Sequence, residues 1–202
     1  MKSRAALMAL VIVGVLAVCI IGVFLWGMGI YNSLVSLDEQ VSSSWSQVES
    51  QYQRRADLIP NLVNTVKGFA AQEREVLLGV TEARAKVSQV TVTKDVLDDP
   101  ATFSRFQAAQ DQFSSAISRL LAVAENYPIL KSNENFLALQ TQIEGTENRI
   151  AVERRRFNEV VQQFNTAIRR FPAAFIANMS GFREKQYFKA REGAEATPEV
   201  KF

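Results

Sequence analysis

The chain begins with a long apolar run and continues with amphipathic stretches in which apolar residues recur every three or four positions. No charged side chain occurs from Ala5 to Leu37, and residues 5–30 are almost wholly apolar. A helix rises about 1.5 Å per residue, so about 20 such residues cross a hydrocarbon core of about 30 Å. The run therefore predicts a transmembrane helix over residues 5–30, after a short basic N-terminus at residues 1–4.

Two alternatives compete with an uncleaved anchor. A cleaved signal peptide has a basic start, a shorter apolar core and a small-residue cleavage site, and no convincing site of that kind follows Trp26. A lipoprotein signal needs a small residue before its cysteine, but Val18 precedes Cys19 and the apolar run continues beyond it. The pattern favours the uncleaved anchor.

Charge asymmetry around the run predicts its orientation. Lys2 and Arg4 precede it, whereas no basic residue follows it until Arg54. The positive-inside rule therefore places the N-terminus in the cytoplasm and most of the chain outside it. Trp26 and Tyr31 fit the aromatic belt at the exit interface, and an ordinary role in helix packing is an equal alternative for both.

Beyond the run, apolar stripes predict four helices. The first stripe consists of Leu34, Leu37, Val41, Trp45, Val48 and Tyr52. No strong breaker separates this stripe from the apolar run, so the transmembrane helix is expected to continue into the first bundle helix. The four helices are predicted at about residues 31–56, 58–89, 100–127 and 132–170. Their short connections predict an all-α fold, an antiparallel up-and-down four-helix bundle over residues 31–170.

Proline and cap residues set the predicted helix boundaries. At Pro60 two geometries fit: Asp57 caps a new helix with Pro60 in its first turn, which we favour, or one long helix kinks there. Asp99, followed by a proline, predicts the start of the third helix. Ser132 or Asn133 is expected to cap the fourth.

The segment from 171 to 202 is predicted to be an irregular tail, with Gly181 as a helix stop. Its first apolar residues are Phe171, Phe175, Ile176, Met179 and Phe182. They either pack against the bundle, which we favour, or lie on the membrane surface. The anchors expected in the polar remainder are Tyr187, Phe188, Val200 and Phe202.

The composition limits the kinds of partner and of catalytic or metal site that the chain can have. The net charge of +2 resides in Lys2 and Arg4, so the chain after the run is formally neutral and no nucleic-acid partner is predicted. There is no histidine, and the single cysteine, Cys19, lies in the run. This inventory excludes zinc sites, Ser-His and Cys-His nucleophile pairs and disulfides. We predict no catalytic residue, cofactor, metal or small-molecule substrate; a carboxylate-metal site or a Ser-Lys hydrolase is a remote alternative.

Polar residues concentrate in two stretches of the chain, at 54–64 and at 144–149. The candidates are Arg54, Asp57, Asn61, Asn64, Glu144, Glu147, Asn148 and Arg149. They form either a partner surface or, as we favour, ion pairs that fix the helix register. The arginine runs at 54–55, 154–156 and 169–170 are interpreted as solvated faces and inter-helix pairs.

Several motifs resemble those of the LemA family of bacterial membrane proteins. The longest are GIYNSLV at 29–35, QRRADLIPNLVNTVKG at 53–68, AENYP at 124–128, QIEGTENRIA at 142–151 and RRRFN at 154–158. Shorter matches lie at 45–47, 82–84, 130–131, 135–136, 181–182, 187–188 and 200–202. The resemblance covers nearly the whole chain. This chain departs from the family at Phe69 and Phe157, where tyrosine is usual, and near Gln72, where histidine is common.

The resemblance implies a single anchor in the bacterial inner membrane, an antiparallel helical bundle and no established reaction. It suggests membrane organisation as a theme only by analogy. We therefore expect a membrane-anchored, non-catalytic scaffold or interaction protein, with membrane lipid and either a protein partner or a second copy as its contacts. The alternative is a membrane-remodelling protein that uses the anchor and the tail.

Overall fold

The protein is built from α-helices throughout the part of the chain that the structure describes. The computed structural model describes residues 2–89 and 94–189, with the side chains of residues 2–9, 94 and 95 left out. The α-helices are α1 (Lys2–Phe69), α2 (Arg74–Gln89), α3 (Pro100–Ala124), α4 (Pro128–Lys131), α5 (Glu134–Arg169) and α6 (Ala173–Ser180), with a 3₁₀ helix at Lys94–Leu97. No strand occurs in these ranges, so the predicted all-α class is confirmed.

Helix α1 confirms that the apolar run and the first bundle helix form one continuous helix. It extends from Lys2 to Phe69 and takes part in both units into which the chain divides. We call residues 1–40 with 162–184 the anchor unit, and residues 41–161 with 185–202 the bundle unit. Helix α5 also contributes to both units.

In the anchor unit, α1 contains one stretch that is long and apolar enough to cross a membrane. Every side chain from Leu10 to Trp26 is exposed, and none of the most apolar window is buried inside the protein. Exposed apolar surface on this scale is far beyond what a water-soluble monomer presents, whereas lipid accommodates it. Trp26 and Tyr31 are themselves exposed, as residues of an aromatic belt would be.

The bundle unit buries two apolar clusters along α1, α2, α3 and α5. One is aliphatic at its centre and includes Ile59, Leu62, Val66, Val80, Ile117, Leu120 and Ile143. The other is aromatic and surrounds Trp45. The centroid of the Trp45 ring lies 5.3 Å from that of Phe106, 5.5 Å from that of Phe157 and 5.9 Å from that of Phe188. Burial of these side chains is the main stabilising contribution to the bundle.

The predicted helix boundary at Asp57 is wrong, because α1 continues through Pro60 to Phe69. A proline inside a helix has no amide hydrogen and leaves the carbonyl four residues earlier without its usual donor. Here that carbonyl belongs to Ala56, and Arg84 Nε of α2 donates to it at 3.0 Å. A neighbouring helix thus supplies the hydrogen bond that Pro60 removes.

We expect Arg84→Ala to lower the free energy of unfolding by about 1–2 kcal/mol, the value of a charge-assisted hydrogen bond to a buried carbonyl. In a Pro60→Ala background the loss should shrink, because the new amide at position 60 bonds to the Ala56 carbonyl. Denaturant unfolding of the four members of this double-mutant cycle measures the coupling. Equal losses in both backgrounds would show that Arg84 does not compensate for Pro60.

The turn between α1 and α2 therefore lies at residues 70–73 and not near Pro60. It is tied to the end of α3 by Tyr127, whose hydroxyl donates to Glu73 Oε1 at 2.7 Å and accepts from Gln72 Nε2 at 2.9 Å. The hydrogen bond to Glu73 raises the pKa of Tyr127. These contacts bring the two turns to the same end of the bundle unit.

The other predicted helix ends agree with the structure more closely. Asp99 caps α3 by accepting from the amides of Ala101 and Thr102, and Asn133 caps α5 by accepting from the amide of Phe136. The predicted helices 100–127 and 132–170 are slightly too long, because α3 ends at Ala124 and α5 covers Glu134–Arg169. The residues between them form the short helix α4, which starts at Pro128.

The described part of the tail, residues 171–189, is more regular than predicted. It contains α6, which ends at Gly181 in the left-handed conformation with φ 79°, so the expected helix stop is confirmed. Within the bundle unit, Phe188 is buried, and its backbone exchanges two hydrogen bonds of 2.9 Å with the Asn158 side chain. Phe188 is therefore a true anchor, while the predicted anchors Val200 and Phe202 lie outside the described residues.

Candidate functional site

A layer of polar side chains crosses the core of the bundle unit between its aromatic and aliphatic clusters. At its centre is Arg55 of α1, which is only 1% exposed. Its guanidinium donates to Ser114 Oγ at 2.6 Å, to Glu147 Oε1 at 2.7 Å and to Gln110 Oε1. One side chain of α1 is thereby bonded to α3 and α5 at a single level.

Aromatic rings enclose the Arg55 guanidinium. Its central carbon lies 5.0 Å from the centroid of the Phe113 ring and 5.2 Å from that of Tyr52. Both distances are in the range of cation–π attraction, which strengthens when water is excluded. Arg55 Nε is buried and has no hydrogen-bond partner within the described residues. The charge is thus held by one carboxylate, two neutral acceptors and two ring faces.

A second arginine lies one level closer to the aromatic cluster. Arg154 of α5 donates to the Tyr52 hydroxyl, pairs with Asp111 at 3.4 Å and has its guanidinium carbon 4.8 Å from the centroid of the Phe188 ring. Burial raises the pKa of the Tyr52 phenol, and the Arg154 cation opposes that shift. The phenol is therefore neutral at physiological pH and serves as an acceptor for Arg154.

These arginines correct part of the sequence interpretation. Arg55 and Arg154 belong to runs assigned to solvated faces and inter-helix pairs, yet each also has its guanidinium against aromatic rings. Glu147 does take part in an inter-helix pair, but its partner is Arg55 and not Arg54. Arg54 is exposed on α1.

The remaining predicted polar residues lie on two surfaces. Asp57, Asn61 and Asn64 are exposed on α1, and Asp57 accepts a 3.0 Å bond from Gln53 within the same helix. Glu144 and Asn148 of α5 line a depression of about 430 Å³ beside Ser114 and Glu147. Arg149 is exposed but does not line this depression.

A larger groove, of about 1210 Å³, lies between α2 and α3. No pattern in the sequence indicates this groove. Small residues, among them Gly79 and Ala83 on α2 and Ala108 on α3, open its floor, and Leu78 on its wall is 59% exposed. The charged residues along it are Glu75, Glu82, Lys86, Asp111, Arg119 and Lys189.

The described residues contain no cluster of three or more His, Cys, Asp or Glu side chains placed to hold a metal ion. The two strongest chemical features of the bundle unit are therefore the buried arginine layer and the α2–α3 groove. The first bonds helices together, and the second presents a surface.

Comparison with known sequences decides the family. The sequence model of the LemA family matches residues 44–202, which is most of the chain. The chain belongs to the LemA family. The matched range contains the arginine layer, the α2–α3 groove and all the predicted polar residues of the bundle.

Most of this chain is similar in sequence to several curated proteins. The chain is 26% identical over 190 residues to the magnetosome protein MamQ of Magnetospirillum gryphiswaldense, an alignment covering 84% of this chain and 70% of the relative. The magnetosome protein MamQ 2 of Paramagnetospirillum magneticum gives the same identity and coverage. Protein LemA of Metamycoplasma hominis is 25% identical over 173 residues, covering 85% of this chain and 75% of the relative. Together with the apolar stretch of α1, these similarities indicate a membrane-associated helical protein.

Proposed function

We propose that this LemA family protein is a non-catalytic membrane scaffold, anchored in the bacterial inner membrane by α1, that holds a protein partner in the α2–α3 groove. Lys2 and Arg4 favour a cytoplasmic N-terminus and a bundle unit outside the cytoplasm. Relatives named as magnetosome proteins support an association with membranes. The groove is the observation that carries the scaffold role.

The lining of the groove indicates the class of partner. Acidic and basic side chains occur along it in equal numbers, so its charge does not favour a polyanion such as a nucleic acid. Leu78 and the small residues Gly79 and Ala83 lie on one face of α2, which leaves apolar area and room for a backbone to approach. An amphipathic helix docks in such a groove by its apolar face.

We expect a photoreactive amino acid at Leu78 or at Gln112 to crosslink the full-length protein to a discrete partner in intact bacterial membranes. Both side chains are exposed and line the groove, one from α2 and one from α3. Mass spectrometry of the adduct identifies the partner, and an adduct of twice the chain mass would show that the partner is a second copy.

The matched control carries the same probe at Arg155, which is exposed on α5 and does not line the groove. The proposal predicts little or no adduct there. Equal adducts from all three positions, or none from the groove positions, would contradict a partner in the groove.

A further inference from the structure

Helix α6 in the anchor unit presents an apolar stripe that no described residue covers. Phe171 is 90% exposed, Phe175 70% and Met179 74%. Phe175 and Met179, four residues apart, lie on one face of the helix, and Phe171 lies in the turn that precedes it. Ala177, on the opposite face, is only 2% exposed, so α6 packs by one side and leaves its larger apolar side chains outward.

The packed side of α6 faces the part of α1 where the charge-free run approaches its end. The Ile176 Cδ1 atom lies 3.9 Å from the point at which a β-carbon on Gly27 would stand, which is ordinary van der Waals distance. One residue beyond α6's glycine stop, the Phe182 ring lies 6.0 Å from the Tyr31 ring between centroids. Gly27 and Tyr31 mark the exit of the predicted transmembrane helix, so α6 lies at the expected height of the lipid headgroups.

Positive charge accompanies the apolar stripe. Within residues 162–184 the charged side chains are Arg169, Arg170, Arg183 and Glu184, and all four are exposed. Arg169 Nε and Glu184 Oε1 are 3.6 Å apart on the surface, where such a pair contributes little and exchanges readily for other partners. Basic residues beside an apolar helix face are typical of a surface that binds anionic lipid.

We propose that α6 and the turn before it form a second membrane contact, an interfacial segment that places Phe171, Phe175 and Met179 among the acyl chains of an anionic leaflet. Arg169 and Arg170 then lie among the lipid phosphates. The inference rests on the membrane anchoring in the proposed function but does not depend on the α2–α3 groove.

An eight-residue helix with two exposed large apolar side chains, and a third in the turn before it, binds a bilayer weakly on its own. In this protein α1 holds α6 at the surface, so its insertion is effectively intramolecular and needs little intrinsic affinity. A fixed height relative to the bilayer also explains why the apolar side chains can remain uncovered by protein.

Fluorescence quenching by nitroxide-labelled lipids tests the proposal on the full chain. In a Cys19→Ala background, single cysteines at Phe175, Ile21 and Arg155 are labelled with an environment-sensitive dye. The labelled protein is reconstituted in phosphatidylcholine vesicles with and without phosphatidylglycerol. For the label at 175 we expect quenching by nitroxides near the headgroup to exceed that at 155 by about threefold or more, as for an interfacial side chain.

The controls separate the possible failures. Quenching of the label at 21 but not of the label at 175 would overturn the interfacial helix and leave the anchor intact. If the dye at 175 reports an apolar environment but is not quenched by lipid, then protein, such as a second copy, covers the stripe. Absence of quenching at 21 as well would contradict the membrane anchoring itself.

A second variant tests the side chains that carry the contact. With the dye at the neighbouring exposed residue Asn178, the triple substitution Phe171→Ser, Phe175→Ser and Met179→Ser should reduce lipid quenching to the level seen at Arg155. Because all three side chains are exposed, the helical content should not change. Unchanged quenching in the triple variant would overturn the proposal.

Discussion

Replacing Glu147 with alanine is expected to lower the free energy of unfolding of the bundle unit by about 2–4 kcal/mol, because it leaves a buried guanidinium without its carboxylate. Arg55 is 1% exposed, whereas the Glu147 side chain is 33% exposed. Water can therefore partly hydrate Arg55 once the carboxylate is removed. For this reason the expected loss of stability is somewhat smaller than for a fully buried ion pair. Glu144→Ala, at an exposed position of the same helix, should change the stability by less than about 0.5 kcal/mol.

Guanidinium unfolding of the full chain in detergent, followed by Trp45 fluorescence in a Trp26→Phe background, measures both variants. The double variant Arg55→Met with Glu147→Leu should be less destabilised than Glu147→Ala, because it removes both charges and fills the space with apolar groups. If Glu147→Ala is as stable as the parent chain, or if the double variant is the least stable of the three, the ion pair between Arg55 and Glu147 does not stabilise the bundle unit.

The second large effect is expected in the aromatic cluster. Phe157→Ala should lower the free energy of unfolding by about 3–5 kcal/mol, the usual cost of removing a buried aromatic side chain and leaving a cavity. Phe157 is fully buried, and its ring centroid lies 5.5 Å from those of both Trp45 and Phe188. Loss of this ring also weakens the attachment of the tail through Phe188.

Phe69→Ala is the matched control, since Phe69 is 41% exposed at the end of α1 and should cost less than about 1 kcal/mol. Urea unfolding followed by far-ultraviolet circular dichroism compares the two variants in the same detergent. A Phe157→Ala loss no larger than that of Phe69→Ala would contradict the central place of this ring in the core.

Local signals in the sequence were sufficient for much of the fold. The periodicity of apolar residues gives the bundle helices, and the uninterrupted pattern after Leu37 gives the continuity of α1. Helix caps such as Asp99, Asn133 and Gly181 interact with residues only a few positions away. Their positions can therefore be predicted without knowledge of the tertiary structure.

The boundary at Pro60 could not be predicted in this way. A proline preceded by Asp57 is locally typical of a helix start. The helix nevertheless continues, and Arg84, 24 residues beyond Pro60 on another helix, donates to the carbonyl that the proline leaves without a donor. That contact exists only in the folded bundle, so no local rule reports it.

The burial of Arg55, in contrast, could have been predicted from the sequence. Arg55 lies three residues after Tyr52 and four before Ile59, and both of these are on the buried stripe of α1. The position therefore points inward whatever its charge, and Gln110 occupies the corresponding stripe of α3 between Phe106 and Phe113. Polar residues in register on facing apolar stripes predict a buried network, but which carboxylate completes it depends on helix packing.

The α2–α3 groove had no sequence signal, because it arises from the gap between two helix surfaces and from small residues that look unremarkable in the sequence. The exposed stripe at α6 could be predicted only in part. Its residues are apolar at close to helical spacing, for which we favoured packing against the bundle, but Phe171, Phe175 and Met179 are exposed.

The most direct test of the scaffold role is photocrosslinking from Gln112 in membranes when the groove is blocked by Gly79→Trp. Gly79 lines the groove, and a β-carbon there meets no atom within 4 Å, so a new side chain begins in open space. We predict that Gly79→Trp abolishes most of the adduct, while Ala151→Trp on the exposed face of α5 leaves it unchanged. An adduct that persists with Gly79→Trp, or that both substitutions weaken equally, would contradict partner binding in the α2–α3 groove.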